Sequence, residues 1–124
     1  MPATGAAQTA SPGQAGSEAR SVTDDTGVVV TIAGTPARIA SLSPAITEIV
    51  FALGAGDRLV GGTDFDDYPA DILALPDIAT YQGVLVERLA ALEPDLVLAS
   101  GMGLTPDADI ARLRELGYPV VTTY

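Results

Sequence analysis

"RIASLSPAITEIVFALGAGDRLVGG", residues 38–62, reads as strand, turn, helix, turn and strand in succession. "RIASL" (38–42) is short and apolar. Ser43 is a residue type favoured at a helix N-cap, and Pro44 follows at the first helical position, where its missing N–H costs nothing. Ile46, Ile49, Val50 and Leu53 recur at i, i+3, i+4 and i+7, which predicts one apolar helix face. Gly54 supplies the left-handed stop. "RLVGG" (58–62) then reads as a second short strand.

Upstream, "GVVVTI" (27–32) is β-branched and followed by the turn "AGTP"; with 38–42 it predicts a hairpin, or an edge strand feeding a buried one. Residues 1–26 are mostly Ala, Gly, Ser, Thr, Pro and Gln with scattered charge. They carry too little apolar surface to offset the entropy of ordering, which predicts a flexible tether or leader. Downstream, "PADILAL" (69–75) is a brief helical turn ended by Pro76, and "TYQG" (80–83) reads as a loop. Residues 85–92 form a helix with Leu85, Leu89 and Leu92 on one face. "PDLVLA" (94–99) is a strand. Thr105 and Pro106 start a helix with Ile110, Leu113 and Leu116 inward and Gly117 as its stop, and "PVVTT" (119–123) is the last strand.

The order β-β-α-β-α-α-β-α-β with short loops predicts an α/β fold, a three-layer Rossmann-like lobe over 27–124 with a mostly parallel sheet. Ligands of such sheets bind outside the carboxyl ends of the strands. Those ends carry "SLSP", "GGTDFDDYP" and "ASGMG". Tyr124 follows directly on the last strand, and the expectation is a lobe cut from a larger protein.

Composition narrows the chemistry. The 124 residues contain no Cys and no His, and all six basic residues are Arg, against 16 acids and a net charge of −10. Soft-metal sites, thiol nucleophiles, imidazole acid–base catalysis and Schiff bases are therefore absent from this chain's repertoire. The negative balance disfavours nucleic acid and anionic membrane surfaces, both of which need clustered basic groups. No apolar run approaches the roughly 20 residues that span a bilayer. No basic segment followed by an apolar core opens the chain, so no signal peptide is expected.

"TDFDDYP" (63–69) packs three carboxylates into seven residues. It lacks the turn Gly and the distal Glu of a calcium loop, so Asp64, Asp66 and Asp67 read as turn caps and solvated charge. "SGMGLTPDAD" (100–109) opens a helix after a strand as dinucleotide-binding turns do. Pro106 stands at the third glycine position, however, and Asp107 and Asp109 would repel a phosphate. What remains is aromatic: Phe65, Tyr68 and Tyr81 stand on the loops of the functional edge, where flat rings offer stacking area. Tyr68 beside Pro69 reads as a packed turn residue, leaving Phe65 and Tyr81 as pocket candidates.

"RIASLSPAITEIVFALGAGDRLVGGTDFDDYP", "YQGVLVERLAALEPDLVLAS" and "LRELGYPVVTT" resemble, in that order, the N-terminal lobe of the ABC-importer substrate-binding proteins whose two lobes are joined by a rigid helical backbone. The family serves cobalamin, iron siderophores, haem and some metal ions, and the resemblance is closest to its cobalamin binders. It implies Pro44 and Ala45 facing ligand and Phe65 set against a corrin face. Tyr81 stands where the cobalamin binders carry a Trp. It implies Glu87 docking into an Arg pocket of the membrane permease, a pairing suited to carboxylate recognition. Val84, Leu85 and Val86 depart from the Met-Asn-Leu expected before that Glu, and the second lobe is missing. With no His for a metal ion and no Arg on the cleft loops for an anionic siderophore, a neutral or cationic corrinoid fits the lining better, though Tyr81 offers haem an axial ligand. The resemblance implies no resident cofactor, a periplasmic or extracellular location, and a tether like the spacer behind a lipoprotein anchor, although the anchoring Cys is absent.

Two other readings stay open on the residues. One is a freestanding single-lobe interaction module. The other is a carboxylate-dependent enzyme using an Asp of 64–67 and sensitive to Asp66→Asn.

Overall fold

The computed structural model describes residues 19–64, 66, 70–80, 82–101 and 105–123. A hairpin comes first: β1 (Ala19–Thr23) pairs antiparallel with β2 (Val29–Ala33). β3 (Ile39–Ser41) leads into α1 (Pro44–Ala52), a 3-10 turn (Gly56–Arg58) and β4 (Leu59–Thr63). A second 3-10 segment (Ala70–Ala74) precedes β5 (Asp77–Thr80), which turns back into the short β6 (Gly83–Val84). Then come α2 (Val86–Leu92), β7 (Leu96–Ser100), α3 (Asp107–Glu115) and β8 (Val120–Thr123).

Six strands make one sheet in the order β6-β5-β4-β3-β7-β8, parallel except at β6. The chain enters at β3, moves outward through β4 to β5, then returns to lay β7 and β8 on the other side of β3. Strand order therefore reverses at β3, where loops diverge and α/β sheets open a crevice.

Side chains alternate across the strands, so a sheet covered on both faces must be apolar on both. Ile39, Leu96 and Val121 pack against Ile46 and Val50 of α1 and against Val30 and Ile32 of the hairpin. Ala40, Val97, Ala99 and Val120 face the other way, toward Leu89 of α2 and Ile110 and Leu113 of α3. The result is the expected three-layer α/β lobe. Gly61 sets one close contact: a Cβ there would lie 3.0 Å from Leu92 and 3.1 Å from Ile78, so bare backbone lets α2 settle on β4.

Several local expectations change. The hairpin expected between 27–32 and 38–42 forms one strand earlier, because β2 pairs with β1 while β3 joins the main sheet. Residues 19–26, expected within the leader over 1–26, instead supply β1 and a turn whose Asp24 is buried. β1 is largely exposed and held by backbone pairing, so it carries no apolar pattern to read. Part of the loop expected at 80–83 belongs to the β5–β6 hairpin. On α1, Ile46 and Val50 are buried, but Ile49 and Leu53 are 56% and 78% exposed. Thr47 turns inward instead, rotating the buried stripe toward itself at about 100° per residue. Leu116, expected inward, is exposed at the C-cap of α3. Gly54 and Gly117 adopt the left-handed stops, with φ of 80° and 98°.

Candidate functional site

β5, β4 and β3 lie side by side and end at one edge of the sheet. Each leads directly to sequence candidates: β3 to Pro44 and Ala45, β4 to Phe65, and β5 to Tyr81. Pro44 is half-buried and Ala45 exposed on the first turn of α1. Phe65 and Tyr81 lie outside the described residues, as do Asp67, Tyr68 and Pro69. Their flanks are tied to the sheet. Asp64 N donates to Ala79 O at 3.1 Å, Asp66 N to Thr63 O at 3.2 Å, and Gln82 N to Thr80 Oγ1 at 3.2 Å.

Asp66 corrects the sequence reading. It caps, but it is not solvated: only 6% of it is exposed. Its Oδ2 accepts from Thr63 N at 3.0 Å and from Thr47 Oγ1 at 2.9 Å, and its Oδ1 accepts from Thr63 Oγ1 at 2.9 Å. Three protein donors replace the water a buried carboxylate would otherwise demand. Thr47 Oγ1 also lies 2.8 Å from Ser41 Oγ. Each hydroxyl has one proton, and the charged acceptor makes the stronger bond. Thr47 thus donates to Asp66, while the Ser41 hydroxyl beside it donates to Ser43 O at 3.0 Å. With both its oxygens engaged, Asp66 fits a structural tie better than a general base. Asp64, by contrast, is exposed. The tie joins residues 19 apart in sequence, and its one local clue was a polar Thr47 set between the apolar positions Ile46 and Val50.

Ser43 has the extended backbone of an N-cap (φ −155°, ψ 139°), yet its hydroxyl makes no capping bond and is buried without a hydrogen-bond partner. Beyond β3, Ser100 N donates to Thr105 Oγ1 at 3.2 Å, and Gly101 N to Thr123 O at 2.7 Å. Asp109 accepts from Val84 N at 3.0 Å, joining α3 to β6. Its carboxylate serves a backbone contact where a dinucleotide-binding turn would receive a phosphate.

A second buried acid was missed altogether. Asp24 is 7% exposed in the hairpin turn. Its Oδ1 accepts from Thr26 N, Thr26 Oγ1 and Val28 N, and its Oδ2 from Thr122 N at 3.1 Å and Arg114 at 2.9 Å. Burial alone would raise this carboxyl; the Thr26 hydroxyl and the backbone N–H groups of Thr122, Val28 and Thr26 outweigh it, lowering the pKa from 3.8 to about 2.

Glu87 is exposed on the first turn of α2. It lines a shallow groove of about 450 Å³ with Val84, Leu85, Val86, Arg88 and Arg112. Among the described residues no group of three or more acids gathers where it could hold a cation, and no helix is long and apolar enough to cross a membrane.

Residues 39–123 match the periplasmic binding protein family, and the chain belongs to it. It is 39% identical over 92 residues to the vitamin B12-binding protein of Vibrio parahaemolyticus, covering 73% of this chain and 33% of that one. The crystal structure of the periplasmic vitamin B12 binding protein BtuF of Vibrio cholerae superposes with a TM-score of 0.68 at 37% identity, over 72% of this chain and 34% of BtuF. The periplasmic heme-binding protein RhuT of Roseiflexus sp. RS-1 gives 0.62 at 38% identity, over 69% of this chain and 33% of RhuT. The chain thus spans about a third of the length of the relatives it matches.

Proposed function

We propose that this chain is the non-enzymatic N-terminal solute-binding lobe of an ABC import system, and that it holds one wall of a cleft for a corrinoid. The corrinoid is cargo and not a resident cofactor. The observation that carries the reading is that three adjacent parallel strands, β3, β4 and β5, end at one edge of the sheet, each shortly before candidates in the sequence: Pro44–Ala45, Phe65 and Tyr81. Flat rings suit a broad macrocycle, to which they offer stacking area. Identity of about 40% to proteins named for vitamin B12 supports the same ligand. A second lobe supplies the facing wall, Glu87 meets a basic pocket on the permease, and the protein works in the periplasm on a membrane tether.

The experiment is calorimetric titration of cyanocobalamin into the complete two-lobed protein and its variants. Phe65→Ala and Tyr81→Ala each weaken binding by about 1–3 kcal/mol, the range for a lost stacking partner. Glu87→Ala leaves the titration unchanged and weakens permease docking. Unchanged affinity in both ring variants overturns the pocket assignment. The likeness to a heme-binding structure favours one second reading, haem with Tyr81 as axial ligand. A Soret shift on adding haemin that is lost in Tyr81→Phe would establish it.

A further inference from the structure

β8 is the last strand of the sheet among the described residues. Its pairing with β7 uses alternate backbone groups: Val97 N donates to Pro119 O and Gly101 N to Thr123 O. The N–H and C=O groups of Val120 and Thr122 therefore point away from β7. Four such groups in a row are a template on which another strand can add. Three of them are already occupied, and none by a strand. Thr122 N donates to the Asp24 carboxylate at 3.1 Å, Thr122 O accepts from Asp25 N at 3.0 Å, and Val120 O accepts from Arg114 at 2.8 Å. Arg114 and Asp24 are themselves paired at 2.9 Å.

We propose that the Asp24–Arg114 pair is an edge lock, which keeps β8 closed to a strand donated by a second copy of this chain. Its parts come from the hairpin turn and from α3, and together they imitate the bonding of a missing strand with side chains that cannot propagate a sheet. The amino half of the edge is less protected. Val120 borders a groove of about 300 Å³ between β8 and β2, lined also by Val28, Val29, Thr31 and Tyr118. A second copy fits because the chain carries its own counterpart: β2, "VVTIA", is a β-branched strand paired with β1 on one side only among the described residues, so its outer edge carries no strand, and its Val29 is 64% exposed. Each copy would then present both an edge and a strand to fill it. The lock does not depend on which ligand occupies the cleft.

The test uses the full 124-residue chain and two variants, Asp24→Asn and Arg114→Gln, each opening the lock from a different element. Light scattering across a concentration series and amide hydrogen exchange are the readouts. The unmodified chain stays monomeric with the Thr122 amide protected. Asp24→Asn speeds exchange at Thr122 about tenfold, as expected for loss of a local protecting contact. Both variants form a concentration-dependent dimer whose cross-links join β8 of one copy to β2 of the other. Should Asp24→Asn fail to fold by circular dichroism, Arg114→Gln, which alters a partly exposed side chain, decides the matter alone. Folded variants that remain monomeric at every concentration overturn the lock, as does a dimer cross-linked elsewhere.

Discussion

Asp24 and Asp66 are both buried, one on each side of β3, and they are held by different chemistry. Asp24 has a cation, Arg114, and four further donors, and it joins the outer hairpin to α3 and β8. Asp66 has only the hydroxyls of Thr47 and Thr63 and one backbone N–H. It ties the loop after β4 to α1, whose first turn carries Pro44 and Ala45. The acid with the full ion pair thus secures the rim of the fold, while the acid beside the site makes do with neutral partners. A charge-paired tie resists removal strongly; a hydroxyl-held tie fixes geometry at smaller energetic stake.

The contrast has measurable consequences. Asp24→Ala leaves Arg114 and several N–H groups without their acceptor and costs about 3 kcal/mol, the lower end for breaking a buried pair; urea unfolding reads it. Next in size is the acid response. Because the folded pKa of Asp24 lies below the ordinary 3.8, its contribution is complete above that value and is lost as pH falls through about 2. That contribution is on the order of 2 kcal/mol. Chemical denaturation from pH 5 down to about 2 therefore shows a slope that Asp24→Asn lacks. Thr47→Val is the smallest: one of the bonds to Asp66 goes, for about 1 kcal/mol. Equal costs for Thr47→Val and Asp24→Ala would break the comparison. A Thr47→Val variant with full stability but weaker corrinoid binding would sharpen it, by separating the geometric role of Asp66 from its energetic one.

Much of this was legible beforehand, unevenly. α1 and α3 with their glycine stops, and the strands at 58–62, 94–99 and 119–123, follow from periodicity and end signals and fall close to their observed bounds. β5 was lost because "DIAT" is too short to show a pattern; it is a strand through its pairing with β4 and β6. Asp66 was read as solvated because three nearby carboxylates usually are. Nothing within a few residues of it announced Thr47. For the site, the loops after β3, β4 and β7 were placed on the functional edge from the α/β pattern; the strand order adds the end of β5 beside that of β4.

The sequence by itself determined the α/β class, the start and stop of α1 and α3, the family, and a chain without imidazole, thiol or primary-amine side chains. These properties rest on composition, on caps and on periodicities that act within one turn or one strand. Only the tertiary structure decided that β1 belongs to the fold, that Ile49 and Leu53 face solvent, that Asp66 reaches Thr47, and that Asp24 and Arg114 close the edge of β8. Each of these joins or exposes residues according to the order in which strands lie beside one another. That order is set by how the layers pack, and no local pattern along the chain carries it.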